Sequence, residues 1–259
     1  MTVARALIGI AAGFVAGVLS GAFGVGGGIV TTPVVHLLLG GAPIEAVATP
    51  LPVIFPTALA GAWTYRRAGE VSFRAAGWAV APGMIGAVAG AELTNFPSVF
   101  HPHLLLFVTA VLLAAQAIRI GFGGELKERP RGSTPGWQYM IAGGIAGFVS
   151  GLLGLGGGIV FVPILTAILG MPLKRALGTS LVVIAAVVIP GTIDHAIHDH
   201  INWPAFAVLV VGVIPGAWIG ATLALRARDR TLRLAVGTFL LLIAIGYGSL
   251  ELFNLIRAA

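Results

Sequence analysis

Long apolar stretches alternate with short polar ones along the whole chain. Ten apolar segments can be marked, five in each half, at residues 4–23, 28–40, 46–65, 75–93, 103–120, 137–153, 158–170, 176–193, 204–225 and 234–253. Most of them approach the ~20 apolar residues that a helix needs to cross a bilayer. The second segment of each half has only about thirteen residues, which is short for a crossing. The pattern predicts an all-α integral membrane protein with two short, interrupted segments.

The two halves of the chain are copies of one unit. GVLSGAFGVGGGIVTTP (17–33) aligns without a gap with GFVSGLLGLGGGIVFVP (147–163), and ten of the seventeen positions are identical. The offset of 130 residues continues downstream. We therefore divide the chain into a first transmembrane repeat at 1–120, a linker at 121–136 and a second transmembrane repeat at 137–259. Because the first segment contains the start of a repeat unit, we expect it to be retained rather than cleaved as a signal.

Composition narrows the class of protein. Hydrophobic residues make up 58% of the chain and charged residues 9%, whereas soluble domains carry about 25% charged residues. The absence of cysteine excludes disulfides and thiol ligands. No Ser/His/Asp set, HExxH motif or carboxylate pair lies within one span, so an enzyme is not expected. The net charge of +6 is better explained by membrane topology than by nucleic-acid binding.

The Lys and Arg residues predict how the repeats are oriented. They cluster between segments three and four, in the linker, before segment eight, and between segments nine and ten. Placing all four clusters in the cytoplasm makes the two repeats opposite in orientation, with the first two segments of each repeat forming a hairpin. Inverted repeats of this kind are a recurrent transporter design, with the substrate site at the midplane. We expect a multi-pass protein of the bacterial inner membrane.

The glycine runs are the strongest candidates for that site. Gly26, Gly27 and Gly28 in the first repeat correspond to Gly156, Gly157 and Gly158 in the second. Each run precedes a short segment, and the start of a helix offers free N–H groups and a positive dipole end to an anion. Close helix packing is the alternative, but it requires one small residue per turn rather than three in a row. We predict that both runs bind substrate.

The doubled G-x-G-G-G-[IV]-x-x-x-P hairpin, followed by ALGTS in the second copy, resembles the sulfite exporter family TauE/SafE. The resemblance covers nearly the whole chain. It implies a membrane carrier for sulfite or organosulfonates, often in an export role, with no prosthetic group. One departure is that Ala48-Thr49-Pro50 stands where the second copy has Gly178-Thr179-Ser180, so the site is expected to be asymmetric.

Polar residues within spans are further candidates, because they are costly there unless they are used. Thr49, Thr179 and Ser180 lie near the start of segments three and eight and could donate to an oxyanion, or bond their own helix backbone. Ser20 and Ser150 are repeat partners, for which packing is the favoured role.

Three more residues could gate transport or carry a proton. Tyr65 and His195 occupy equivalent positions, and His36 lies in a short segment. An interfacial aromatic is the alternative for Tyr65, and a core histidine is the alternative for His36.

The sequence DHAIHDH (194–200) suggests a second function. Its His and Asp residues suit zinc or nickel, which would make the chain a divalent-metal transporter. The cluster occurs in one repeat only and in a predicted outer loop, so a solvated loop is favoured and no metal site is assigned.

Overall fold

The structure is a computed structural model that describes residues 3–35, 39, 45, 48–93, 111, 114–115, 117–121, 130, 133–153 and 157–258. The helices are α1 (Val3–Phe23), α2 (Gly28–Pro33), α3 (Pro50–Arg67), α4 (Phe73–Leu93), α5 (Gly136–Leu153), α6 (Gly158–Pro163), α7 (Leu173–Ile197), α8 (Trp203–Arg226) and α9 (Asp229–Ala258). Four of them, α1, α4, α7 and α8, are long and apolar enough to cross a membrane. The prediction of an all-α membrane protein is confirmed.

The short second segment of each repeat begins with a short helix. In the second repeat α6 continues as a π-helical turn, Ile164–Ile168, so that the whole apolar helix covers Gly158–Ile168. Pro163, which cannot donate a backbone hydrogen bond, lies where the α-helix gives way to the wider turn. His36, Gly156, most of segment 103–120 and most of the linker lie outside the described residues.

Glycines allow the backbones of α1 and α8 to pack in direct contact. A methyl group placed on Gly13 would lie 2.7 Å from the carbonyl oxygen of Leu209, and one on Gly212 would lie 2.7 Å from the amide nitrogen of Phe14. The contacts advance by four residues in both helices, as the pairs Gly13–Leu209, Gly17–Val213 and Gly21–Ala217 show. The two helices therefore run parallel, and each glycine replaces a side chain that would force them apart.

The same contact recurs between α5 and α4, displaced by 130 residues. Its pairs are Gly143–Ala79, Gly147–Gly83 and Gly151–Ala87. The first helix of each repeat thus packs in parallel against the fourth helix of the other repeat. The two repeats are interlocked rather than side by side.

The central helices α3 and α7 are repeat partners that pack against each other. A methyl group on Gly61 would lie 2.7 Å from Leu181 Cδ1, and one on Gly191 would lie 3.4 Å from Leu51 Cδ1. Gly191 is the repeat partner of Gly61, and Leu181 is that of Leu51, so the two contacts are equivalent. Because the residue number rises along one helix as it falls along the other, α3 and α7 run antiparallel. An inverted repeat requires this arrangement of equivalent helices. The orientation of the repeats in the bilayer stays a prediction.

Candidate substrate site

The structure packs Gly158 of the second hairpin against the turn of the first hairpin, beside the helices α3 and α7. A methyl group on Gly26 would lie 3.1 Å from the side chains of both Ile54 and Ile184, which are themselves repeat partners on α3 and α7. A methyl group on Gly158 would lie 2.7 Å from Val25 Cα, in the loop of the other hairpin. Gly28 is buried at the first position of α2. The main chains of the two hairpins therefore meet without intervening side chains.

The glycine before each short helix has a left-handed backbone. Gly27 has φ +83° and Gly157 has φ +73°, a conformation that costs an L-residue with a side chain about 1–2 kcal/mol. The first i→i−4 hydrogen bond is equivalent in the two helices. It joins Thr31 N–H to Gly27 O at 3.1 Å in α2, and Phe161 N–H to Gly157 O at 3.0 Å in α6. The amides of Gly28 and Gly158, at the first position of each helix, have no acceptor within their own helix, which suits the binding of an oxyanion. The amide of Val160, by contrast, already donates to Gly157 O at 3.2 Å.

The two predicted threonines bind backbone across the repeats. Thr49 Oγ1 accepts a hydrogen bond from the backbone N–H of Asn202 at 3.0 Å, and Thr179 Oγ1 accepts one from that of Ser72 at 2.9 Å. Asn202 and Ser72 are repeat partners that precede α8 and α4. Each threonine therefore fixes the start of the fourth helix of the other repeat. A substrate contact from these threonines stays a prediction.

Ser180 lies beside the first glycine run. Its Oγ donates a hydrogen bond to the carbonyl oxygen of Gly24 at 3.0 Å, and the side chain is fully buried. The repeat partner of Ser180 is Pro50, which has no hydroxyl. The bond therefore ties α7 to the first hairpin, with no equivalent on the other side.

The predicted gating residues are placed differently from each other. Tyr65 is fully buried, and its hydroxyl donates to the carbonyl oxygen of Gly21 at 3.2 Å, so it lies in the core rather than at the membrane surface. His195 is half-buried, with its Nδ1 3.3 Å from the Nδ1 of His200. A gating or proton-carrying role for either residue stays a prediction.

The His/Asp cluster does not gather into a metal site in the described part of the chain. No three His, Asp or Glu side chains there lie close enough to hold one ion. His198 Nδ1 lies 2.8 Å from the carbonyl oxygen of Asp194, and its ring stacks on that of His200. These contacts are local to the turn between α7 and α8.

The structure singles out one residue for which the sequence favoured packing. Ser20 on α1 is fully buried, and its Oγ has no hydrogen-bond partner. It lies against Gly27, as Ser150 lies against Gly157: methyl groups on the two glycines would be 3.4 Å and 3.1 Å from the respective serine Cβ atoms. The repeat pairing of the two serines was the available signal, but spacing alone does not separate a packing serine from an unpaired one.

Comparison with known proteins places these features in a family. The family described as "Sulfite exporter TauE/SafE" matches residues 9–247. The probable membrane transporter protein YunE of Bacillus subtilis is 29% identical, over 90% of this chain and 93% of its own length. A probable membrane transporter protein of Xylella fastidiosa is 28% identical over 95% of both chains, and MJ0441 of Methanocaldococcus jannaschii, also named a probable membrane transporter, is 26% identical over 89% and 91%. No solved structure gives a significant match. The molecule is a multi-pass membrane transporter rather than an enzyme, and it acts on a small molecule.

Proposed function

We propose that this chain, which belongs to the sulfite exporter TauE/SafE family, carries small sulfur-containing anions such as sulfite or organosulfonates out of the cell. The substrate binds beside the contact of the two hairpins, where Gly26–Gly28 and Gly156–Gly158 present main chain rather than side chains. Helix starts and hydroxyl groups supply the hydrogen bonds to its oxygens.

The meeting of the two glycine hairpins carries this proposal. Residues 6–65 and 132–173, which include the two hairpins, contain no Lys or Arg. Neither hairpin therefore carries a cationic Lys or Arg side chain. An oxyanion at this site is held by neutral donors, among which main-chain amides at a helix start are effective. Neutral donors bind without the desolvation cost of a buried ammonium or guanidinium, which favours release on the far side.

The membrane potential is sufficient to drive export. With the cytoplasm negative, moving a monoanion outward releases about 2.3 kcal/mol per 100 mV. A carrier of this kind therefore works without a coupled ion, and its flux depends on voltage.

Purified protein in proteoliposomes tests the proposal directly. Flux of sulfite, sulfoacetate, sulfolactate, thiosulfate and sulfate is measured at zero potential and at an imposed potential positive on the destination side. We expect at least one sulfite or sulfonate to move, faster with the potential. No flux for any member would refute the substrate class, and flux that ignores the potential would replace uniport by an electroneutral, proton-coupled mechanism. Empty liposomes give the leak.

A further inference from the structure

Three buried hydroxyl groups lie on the side of the site formed by the first hairpin. Ser20, Thr31 and Thr57 are each at most 1% exposed. Thr31 Oγ1 donates to the carbonyl oxygen of Gly27 at 3.2 Å, and Ser20 is in contact with the same glycine. Thr31 and Ser20 therefore flank the left-handed turn at the start of α2.

Thr57 lies on the face of α3 that is directed at the first hairpin. A methyl group on Gly26 would touch Ile54, and one on Gly61 would lie 3.7 Å from Gly21 Cα, so this face of α3 is directed at the first hairpin. Thr57 is three residues from Ile54 and four from Gly61, which places it between them on that face. Its hydroxyl donates to the carbonyl oxygen of Val53 at 2.6 Å.

The second hairpin has apolar residues at two of the three equivalent positions. The 130-residue offset pairs Thr31 with Phe161 and Thr57 with Val187, and pairs only Ser20 with another hydroxyl, that of Ser150. Phe161 and Val187 line a cavity of about 10 Å³ beside Gly157. The remaining lining residues are Gly143, Ala146, Gly147, Val183 and Ile184. The side of the first hairpin therefore has three of these hydroxyls, and the side of the second has one, that of Ser150.

Ser20 is the exception among the buried hydroxyls of the first side. A Ser or Thr inside a helix commonly bonds the carbonyl one turn earlier, as Thr31 and Thr57 do here. Ser20 Oγ does not, although it is fully buried and without a partner. A buried polar atom without a partner is rare and calls for a ligand, water or ion to satisfy it.

We propose that Ser20 donates a hydrogen bond to an oxygen of the transported anion, and that the first hairpin forms the polar half of an asymmetric site. The inference rests on the proposed function and assigns a donor within it. The acidic oxygens of the anion face Ser20, beside Gly27 and on the side where the buried hydroxyls lie.

Equilibrium binding to the purified full-length protein tests this assignment, with sulfite and sulfoacetate as probes. Ser20→Ala is expected to weaken binding by about tenfold or more, because it removes a hydrogen bond to a charged group. Its unfolding temperature without anion is expected to equal or exceed that of the wild type, because the substitution removes an unsatisfied buried group. Ser150→Ala is the matched control, and we expect it to change affinity less than about threefold.

Each outcome discriminates. Wild-type protein that binds neither probe would count against the proposed function itself. Wild-type binding that persists unchanged in Ser20→Ala would overturn the assignment of Ser20 alone. Equal losses in Ser20→Ala and Ser150→Ala would overturn the asymmetry, and a lowered unfolding temperature in Ser20→Ala with unchanged affinity would show that the hydroxyl is structural.

Discussion

Two glycines on α4 provide a sharp test of how the helices pack. A methyl group on Gly86 would lie 2.9 Å from the amide nitrogen of Phe148 on α5, whereas one on Gly77 meets no atom within 4 Å. Alanine at Gly86 must move α4 and α5 apart, and overpacking of this kind costs about 1–3 kcal/mol. Alanine at Gly77 carries no such cost and gains about 1 kcal/mol of helix propensity. The same substitution in one helix should therefore have opposite signs.

The measurement is the apparent unfolding temperature of both variants and the wild type in one detergent. We expect Gly86→Ala below the wild type and Gly77→Ala equal to it or above. Gly216→Ala is a third variant, because Gly216 is the repeat partner of Gly86 and a methyl there would lie 3.0 Å from the amide nitrogen of Val18. It should be destabilised like Gly86→Ala. Wild-type stability in Gly86→Ala and Gly216→Ala would refute the interlocked packing of the first and fourth helices.

Three more predictions follow from the same contacts and from the sequence. Thr49→Val and Thr179→Val should each lower the free energy of unfolding by about 1 kcal/mol or more, since each leaves the N–H of Asn202 or Ser72 without its acceptor; Thr222→Ser, at an exposed threonine that bonds only within α8, is the control. Gly27→Ala and Gly157→Ala should weaken anion binding with only modest loss of expression. The control is Gly90→Ala, whose methyl group would lie 3.0 Å from the amide nitrogen of Leu152 and which should lose stability before affinity. Wild-type affinity in folded Gly27→Ala and Gly157→Ala proteins would show that the glycine runs serve packing alone. Lys127→Cys, the sole thiol in a chain without cysteine, should not react with an impermeant reagent added outside intact cells, and labelling there would contradict a cytoplasmic linker.

Helix positions followed closely from hydropathy. The segments predicted at 75–93 and 204–225 are the helices Phe73–Leu93 and Trp203–Arg226. The segment predicted at 176–193 is longer in the structure, Leu173–Ile197, because the apolar pattern ends at charged residues but the helix does not. Lys174 is partly buried there and pairs with Asp229 at 3.1 Å, so its charge marks the end of the apolar segment rather than the end of the helix.

The choice of packing partner could not be predicted from the sequence. Stripes of small residues mark α1, α4, α5 and α8 alike, and any two of these stripes could pack together. Neighbours in sequence would have been the simplest guess. The structure pairs α1 with α8, which are far apart in the chain, and pairs α5 with α4 across residues 94–135. The antiparallel contact of α3 and α7 likewise joins side chains far apart in the chain, such as Gly61 and Leu181.

The hydroxyl groups show why a repeat predicts the place of a site better than its chemistry. Thr49 and Thr179 are equivalent in sequence and make equivalent bonds, because their acceptor role depends on main chain that both repeats share. Ser180 has no equivalent in the first repeat. Its hydroxyl donates to the carbonyl oxygen of Gly24, whereas its repeat partner Pro50 has no hydroxyl and begins α3. The two hairpins are therefore held by different bonds at the point where they meet. If the substrate binds there as proposed, it meets unlike side chains on the two hairpins, even though their backbones are repeated.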